Sequence, residues 1–333
     1  MTNIPALFEL RMGIEATDAW GTAVAQTVKL MDVEDFNLTP MMESVQIKDR
    51  RGTLAPGYSS LLNKLHGSAT LSGFLNLEQS PYWFNSLLQD VTPTTDAAGN
   101  TWNWVAPGSD GAPAVNSFTM AWGVPADINS VKSLRGATVR DIQISGAVND
   151  QLKLTANFIG AAVDTDTFDS DAEADVTTQI LKGCDVSLWI DPDSDAVGTT
   201  AIANTGFDFD LNINTNRETF TYLGSAAAGN YREARYEGSL RLGLELNTTS
   251  AAYIDSILST SSDALTKKVV RILAQVDTDN YLQFDFNGVA LEAPQMFSDR
   301  DGISTIDLML VGQYGATLGN WLKVEARNSV ETF

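Results

Sequence analysis

Two stretches of this sequence, 171 residues apart, carry the same order of glycine, alternating apolar residues and a terminal asparagine. They are Gly67-Ser-Ala-Thr-Leu-Ser-Gly-Phe-Leu-Asn76 and Gly238-Ser-Leu-Arg-Leu-Gly-Leu-Glu-Leu-Asn247. The same offset pairs Phe36 with Phe207, Tyr82 with Tyr253 and Leu87 with Leu258. Further on the offset is 152, pairing Gly136 with Gly288 and Gly160 with Gly312. One length difference accounts for both values. The first half carries a long insert, 92–116, where the second has only the short link 259–268. An internal repeat of this kind constrains the fold more than any single motif. A chain of 333 residues also suits two domains of roughly 150 residues each. The expected organisation is a first β domain over 1–163, an acidic linker over 164–178 and a second β domain over 179–333.

The repeated stretches agree in side-chain direction. Leu65, Ala69, Leu71 and Leu75 alternate with His66, Ser68, Thr70 and Ser72, and Leu240, Leu242, Leu244 and Leu246 alternate with Ser239, Arg241 and Glu245. Phe207, Phe209, Leu211 and Ile213 alternate with Asp208, Asp210, Asn212 and Asn214. Leu152, Leu154, Ala156 and Phe158 do so with Lys153, Thr155 and Asn157, as do Ile306, Leu308 and Leu310 in the second copy. A period of two marks half-buried strands with one core face and one polar face, as antiparallel sheets have. A short helix is expected after each central strand. Ser80 and Pro81 open the first, with Trp83, Phe84, Leu87 and Leu88 as its apolar stripe; Tyr253, Ile254, Ile257 and Leu258 form the second. The expected fold class is therefore mainly β: tandem duplicated sandwich or barrel domains, each with a short flanking helix and long loops.

The net charge of −21 argues against nucleic-acid binding, since such a field repels phosphates. It suits a conduit along which DNA slides without sticking, and it equally suits plain solubility. The single cysteine, Cys184, excludes an internal disulfide and a cysteine metal site. The N-terminus lacks the pattern of a secretory signal, and no apolar run is long enough to span a membrane. The one histidine, His66, lies on the polar face of a repeated strand, where its counterpart is Glu237. That position does not favour a catalytic or metal role. No phosphate-binding loop, dinucleotide fingerprint or nucleophile elbow occurs. Asp191-Pro-Asp-Ser-Asp195 opens like a calcium loop, but Ala196 and Ile202 stand where glycine and glutamate are needed, so an acidic turn is the simpler reading. No cofactor is expected.

Two loops exceed ordinary hairpin length. One runs over 40–63 and holds Lys48, Asp49, Arg50, Arg51 and Tyr58; the other runs over 216–236 and holds Arg217, Tyr231, Arg232 and Arg235. Arginines in an otherwise acidic chain, on long loops, suit contacts with a neighbouring subunit. Trp102 and Trp104, in the Gly/Pro-rich insert, are costly to leave in water and either fold back on their own domain or dock on a next ring.

Gly13-Ile-Glu-Ala-Thr-Asp-Ala-Trp-Gly-Thr22 resembles the opening of phage tail tube proteins, as do the loop Asp49-Arg-Arg-Gly52, the strand from Gly67 to Leu77 and the helix end Asn85-Ser-Leu-Leu88. The second copy departs from this opening: its Gly-Thr comes only at Gly198-Thr199, well after Lys182-Gly183-Cys184. The resemblance implies a structural, non-enzymatic virion protein of siphophage type, assembled in the bacterial cytoplasm. It implies rings of three chains with six near-equivalent domains, stacked into the tube that conducts double-stranded DNA at ejection. It also implies contacts with tape-measure, tail terminator and distal tail proteins. The row Ser68, Thr70 and Ser72, with Asp208, Asp210, Ser239 and Arg241, would then face the channel. Two other classes compete. A decoration or carbohydrate-binding tandem sandwich would expose an aromatic patch, for which Trp102 and Trp104 are the candidates. An acidic β hydrolase would need a pocket of convergent carboxylates.

Overall fold

The computed structural model describes residues 8–16, 19–47, 59–97, 99–108, 113–125, 130–168, 174–175, 178–202, 205–258, 265–300 and 302–331. It is mainly β and antiparallel, as the alternation predicts. In the first half the elements are β1 (Glu9–Ile14), β2 (Val28–Leu30), β3 (Val33–Ile47), β4 (Ser59–Phe74), α1 (Ser80–Leu87), β5 (Thr94–Asp96), β6 (Gly99–Val105), β7 (Phe118–Gly123), β8 (Lys132–Ala147), β9 (Lys153–Gly160) and β10 (Ala162–Thr165). After β11 (Ala174–Asp175) the second half has β12 (Val186–Pro192), β13 (Gly206–Asn214), β14 (Glu218–Phe220), β15 (Asn230–Arg232), β16 (Glu237–Glu245), α2 (Thr248–Leu258), β17 (Lys267–Asp277), β18 (Asn280–Val289), β19 (Gln295–Arg300), β20 (Ile303–Gly312) and β21 (Leu322–Asn328).

One sheet runs through both halves. Its hydrogen-bonded order is β3-β4-β9-β8-β13-β16-β20-β19. The join lies at β8 and β13, which pair over seven residues from Asp208↔Ala147 to Asn214↔Asp141. Against its inner face lie two outer sheets. The first is β2-β1-β7-β8-β10, with β8 long enough to belong to both layers. The second is β12-β17-β18-β21. Leu71, Ala156, Ile142, Ile144, Leu211, Ile213, Leu240, Leu242, Leu308 and Leu310 are buried between the layers, which is the parity read from the sequence. α1 is buried along its whole length. It starts at Ser80, the expected cap residue, so the cap lies one residue earlier at Gln79, and Ser80 Oγ donates to the Leu77 carbonyl at 2.7 Å.

The two halves pair their strands alike. Leu71 and Leu242, 171 apart, take Phe36 and Phe209 as partners on β3 and β13. Phe36 therefore corresponds to Phe209 and not to Phe207. The connection between the paired strands differs by two residues, and the spacing between phenylalanines hid the slip. Both strands carry a register shift at the same place, between Val33 and Asp35 and between Gly206 and Asp208. Phe158 and Leu310 occupy like positions opposite Ala69 and Leu240, so the offset of 152 holds for β9 and β20. Gly288 falls one residue out of step with Gly136. Val289 pairs Val311 as Thr138 pairs Ile159, which puts Gly288 level with Ala137.

The insert closes the space between the halves. β6 pairs with β21, setting Trp102 opposite Ala326 and Trp104 opposite Val324. The two indoles stack at 5.8 Å and are 1% and 0% exposed. Trp102 Nε1 donates to Asn328 at 3.2 Å, and Trp104 Nε1 to Asn85 on α1 at 2.6 Å. Both side chains are thus taken up inside the chain, because a strand edge on the second half lay within reach. Neither is displayed to another ring, nor as a surface patch for a glycan.

Candidate subunit interface and channel face

From β3 to β16 the sheet presents a polar face, which on β20 gives way to the exposed Met309 and Val311 opposite Arg241 and Ser239. Residues directly opposite on paired strands share a face, so rows can be followed across it. One row is Asn37, Thr70, Asn157, Asp141, Asn214 and Glu237; the next is Asp35, Ser72, Thr155, Gln143, Asn212 and Ser239. Ser68, Thr70, Ser72, Asp208, Asp210, Ser239 and Arg241 all fall on this face. The structure brings together residues that the sequence separates by more than 170 positions.

Hydrogen bonds and ion pairs knit the face laterally. Thr70 Oγ1 donates to Asn157 Oδ1 at 2.7 Å, and Asn157 Nδ2 to Asp141 Oδ1 at 2.6 Å. Gln143 Nε2 donates to both oxygens of Asp210, at 3.1 and 2.9 Å, across the join between the halves. Arg241 pairs with Asp208 and with Asp307, each at 2.8 Å, and Arg300 also pairs with Asp208. Arg241 and Arg300 are thus held by carboxylates, which leaves them little free positive charge to attract a phosphate backbone.

Among the described residues, the sheet ends in two strands with one unpaired edge each, β3 and β19. Open edges of this kind template pairing with another chain. β3 occupies the place in its half that β13 occupies in the other, and β13 is paired on both sides.

Two buried carboxylates hold the turns that follow the first strand of each half. Glu15 accepts from Gly21 N, Ser117 Oγ and Thr119 Oγ1 at 2.9 Å each, and from Gly136 N at 2.7 Å. Asp191 accepts from Gly198 N at 2.7 Å, Thr199 N at 3.1 Å, Thr199 Oγ1 at 2.6 Å and Thr200 N at 2.8 Å. Gly21 and Gly198 have φ of +77° and +85°, where a side chain would be strained. The missing Gly-Thr of the second copy is therefore present, reached by an acid seven residues earlier. The spacing differs between the copies, six residues from Glu15 to Gly21 and seven from Asp191 to Gly198, and reading 191–195 as an acidic turn did not connect Asp191 to that glycine. Burial pushes the Asp191 carboxyl up, but the hydroxyl and amide donors outweigh it and hold it below the usual range. With its oxygens so engaged, Asp191 has little left for a cation. Among the described residues, no group of three acids, histidines or cysteines is placed to bind a metal.

The long loops divide. Lys48, Asp49, Arg50, Arg51 and Tyr58 lie outside the described residues. Of the other loop, Arg217 does not reach outward. It is fully buried and donates to the carbonyl oxygens of Ser86, Leu87 and Val139, to Tyr236 Oη and to Glu233. It thus satisfies the last carbonyls of α1, a helix whose own sequence has no basic residue in its final turn. Tyr231 is half-buried and packs edge-on to Trp20 at 5.8 Å. Arg232 is exposed in an ion pair with Glu218, and Arg235 is exposed. The tip of this arm adds to β4: Leu65 N donates to Ala226 O at 2.8 Å, and Ala228 N to Leu65 O at 3.0 Å. His66 is half-buried on the neighbouring position. Burial and the charge of Lys64 push its pKa down, so it is neutral at pH 7.

A family model described as phage tail tube protein matches residues 9–295. The chain belongs to that family. Its members are structural components of a virion tail that assemble with their own kind into a tube, and the family is not an enzyme family. No curated protein matches the chain. No helix among the described residues is long and apolar enough to cross a membrane.

Proposed function

We propose that three copies of this chain close into a ring with six near-equivalent positions, and that such rings stack into a sheathless tube that conducts double-stranded DNA at ejection. Residues 1–163 and 179–333 act as the two copies of the building block. The observation that carries this reading is the β8–β13 pairing. It makes one wall of two halves and leaves β3 and β19 open. Closing each β19 on the β3 of the next chain repeats the internal join and removes both free edges of this wall. The polar face then lines the channel, with its arginines tied to aspartates.

The arms follow the same logic. The second-half arm sits on the first half through Arg217 and Leu65. Among its described residues, the first-half hairpin of β3 and β4 exposes Met41, Met42, Val45, Leu61 and Leu62. It would lie on the second half of the adjacent chain, with Lys48, Asp49, Arg50, Arg51 and Tyr58 supplying polar contacts. Tape-measure, terminator and distal tail proteins would meet the finished tube, and assembly would take place in the host cytoplasm. Negative-stain microscopy and native mass measurement of concentrated protein test the reading. Rings of three chains and hollow rods are expected; a monomer at every concentration would overturn it.

A further inference from the structure

A tube needs contacts along its axis as well as around its rings. A contact that repeats without closing must join two different surfaces of the same subunit. The strand directions define two ends for the wall. β13 starts at Gly206 and finishes at Asn214, where the arm begins. At the arm end, the loop between β14 and β15 carries Leu223, which is fully exposed, and Tyr222, which is 57% exposed. Gly224 follows with φ of +92° and nothing within 4 Å of where a Cβ would be. A leucine held fully in water at a hairpin tip suits insertion into something.

The opposite end has a receptor of matching chemistry. At the start of β13 and the end of β8, the seam between the halves opens into a groove of about 390 Å³. Val148, Cys184, Leu188, Ile202, Phe207 and Leu242 line it, mostly with carbon. Val148 is 50% exposed at its rim. The groove is continuous with the β8–β13 interface described above, so a copy seated there would extend an existing junction.

We propose that the Tyr222–Leu223 tip of one ring seats in the seam groove of the next ring, forming the axial contact between copies of this chain. This rests on the ring-and-tube reading above. The two occupied surfaces lie at opposite ends of one sheet, so the contact propagates and does not close. Every ring would offer three tips on one side and three grooves on the other. The direction of stacking is thereby built into each chain.

The native cysteine allows a direct test. Leu223→Cys in the full-length protein, assembled into rods and mildly oxidised, should give a covalent ladder beyond the dimer by disulfide formation with Cys184 of the next ring. The wild type, with one thiol per chain, and Leu223→Cys combined with Cys184→Ser should give no such ladder. Rods of Leu223→Cys that stay monomeric on a non-reducing gel would overturn the proposal. Leu223→Asp and Gly206→Phe provide a second arm, since a Cβ at Gly206 meets only Leu188, at 3.6 Å, and the phenyl ring would project into the groove. Both variants should still form rings but need at least about tenfold more protein to form rods. Rods at the wild-type concentration would overturn the tip-in-groove contact. Absence of rings from the wild type would instead defeat the ring reading itself.

Discussion

Arg217 Nη2 donates to the carbonyl oxygen of Leu87 at 3.0 Å, so a guanidinium from the second half of the chain caps a helix in the first. That contact was read from sequence as one between subunits. It is instead the internal form of such a contact, made where the second copy of a repeat meets the first.

Removing this cap should loosen the junction. Arg217→Met leaves three carbonyls and Glu233 without their donor, and a cost of about 3–5 kcal/mol is expected. Arg217→Lys should recover little of it, because one ammonium cannot span the same fork of acceptors. Urea unfolding of the purified monomer measures both; a loss under 1 kcal/mol for the methionine variant would contradict the geometry.

The stacked indoles make a second test of the junction. Trp104→Ala should cost about 3–5 kcal/mol by cavity formation and by stranding Asn85. Amide exchange should quicken in β6 and β21 together, since they share one ladder. Exchange that quickens in β6 alone would mean the insert does not hold the second half.

Asp191 should reveal itself through pH. Its carboxyl is held below the ordinary value of 3.8, so the stability it confers is present above that value and is lost as pH falls through the depressed one. Asp191→Ala should therefore destabilise by about 2–3 kcal/mol at pH 7, with four donors orphaned. The gap to wild type should narrow in strongly acidic solution. A gap that is constant with pH would assign the loss to packing alone.

Glu78 should behave in the opposite sense. Burial raises its pKa above 4.5, despite donation from the Ser329 hydroxyl and amide. A raised acid contributes most below its unfolded value and loses that contribution as pH rises through the folded one. Glu78→Gln should match wild type near pH 4 and melt higher at pH 7. A variant that melts lower at pH 7 would show that the charge is used.

The strands and their inward faces were legible because each buries one side, and period-two alternation reports that burial residue by residue. The position of Phe36 relative to Phe209 was not, since a two-residue change in a connection leaves the alternation intact. The polar rows were legible as rows on single strands, but their joining into one wall depends on the β8–β13 pairing, and nothing in the Asp141–Ala147 sequence names its partner. Arg217 misled for a related reason. A buried arginine and an exposed one look alike in sequence, and only the empty carbonyls at the end of α1 tell them apart. Trp102 and Trp104 announced burial by their chemistry, while the surface that buries them, β21, lies more than 200 residues away.

The central claim is that β19 of one chain pairs with β3 of the next as β8 pairs with β13. Ser145 faces Asp210 at the internal join. By strand partners Ser145 corresponds to Ser298, and Asp210 to Asn37. Cysteines at Ser298 and Asn37, with Cys184 replaced by serine, would then sit at the Cα separation a disulfide requires. Oxidation of assembled protein should yield a closed covalent trimer and nothing larger. Assembled rods in which that pair stays reduced, or a ladder that runs past three chains, would contradict the account.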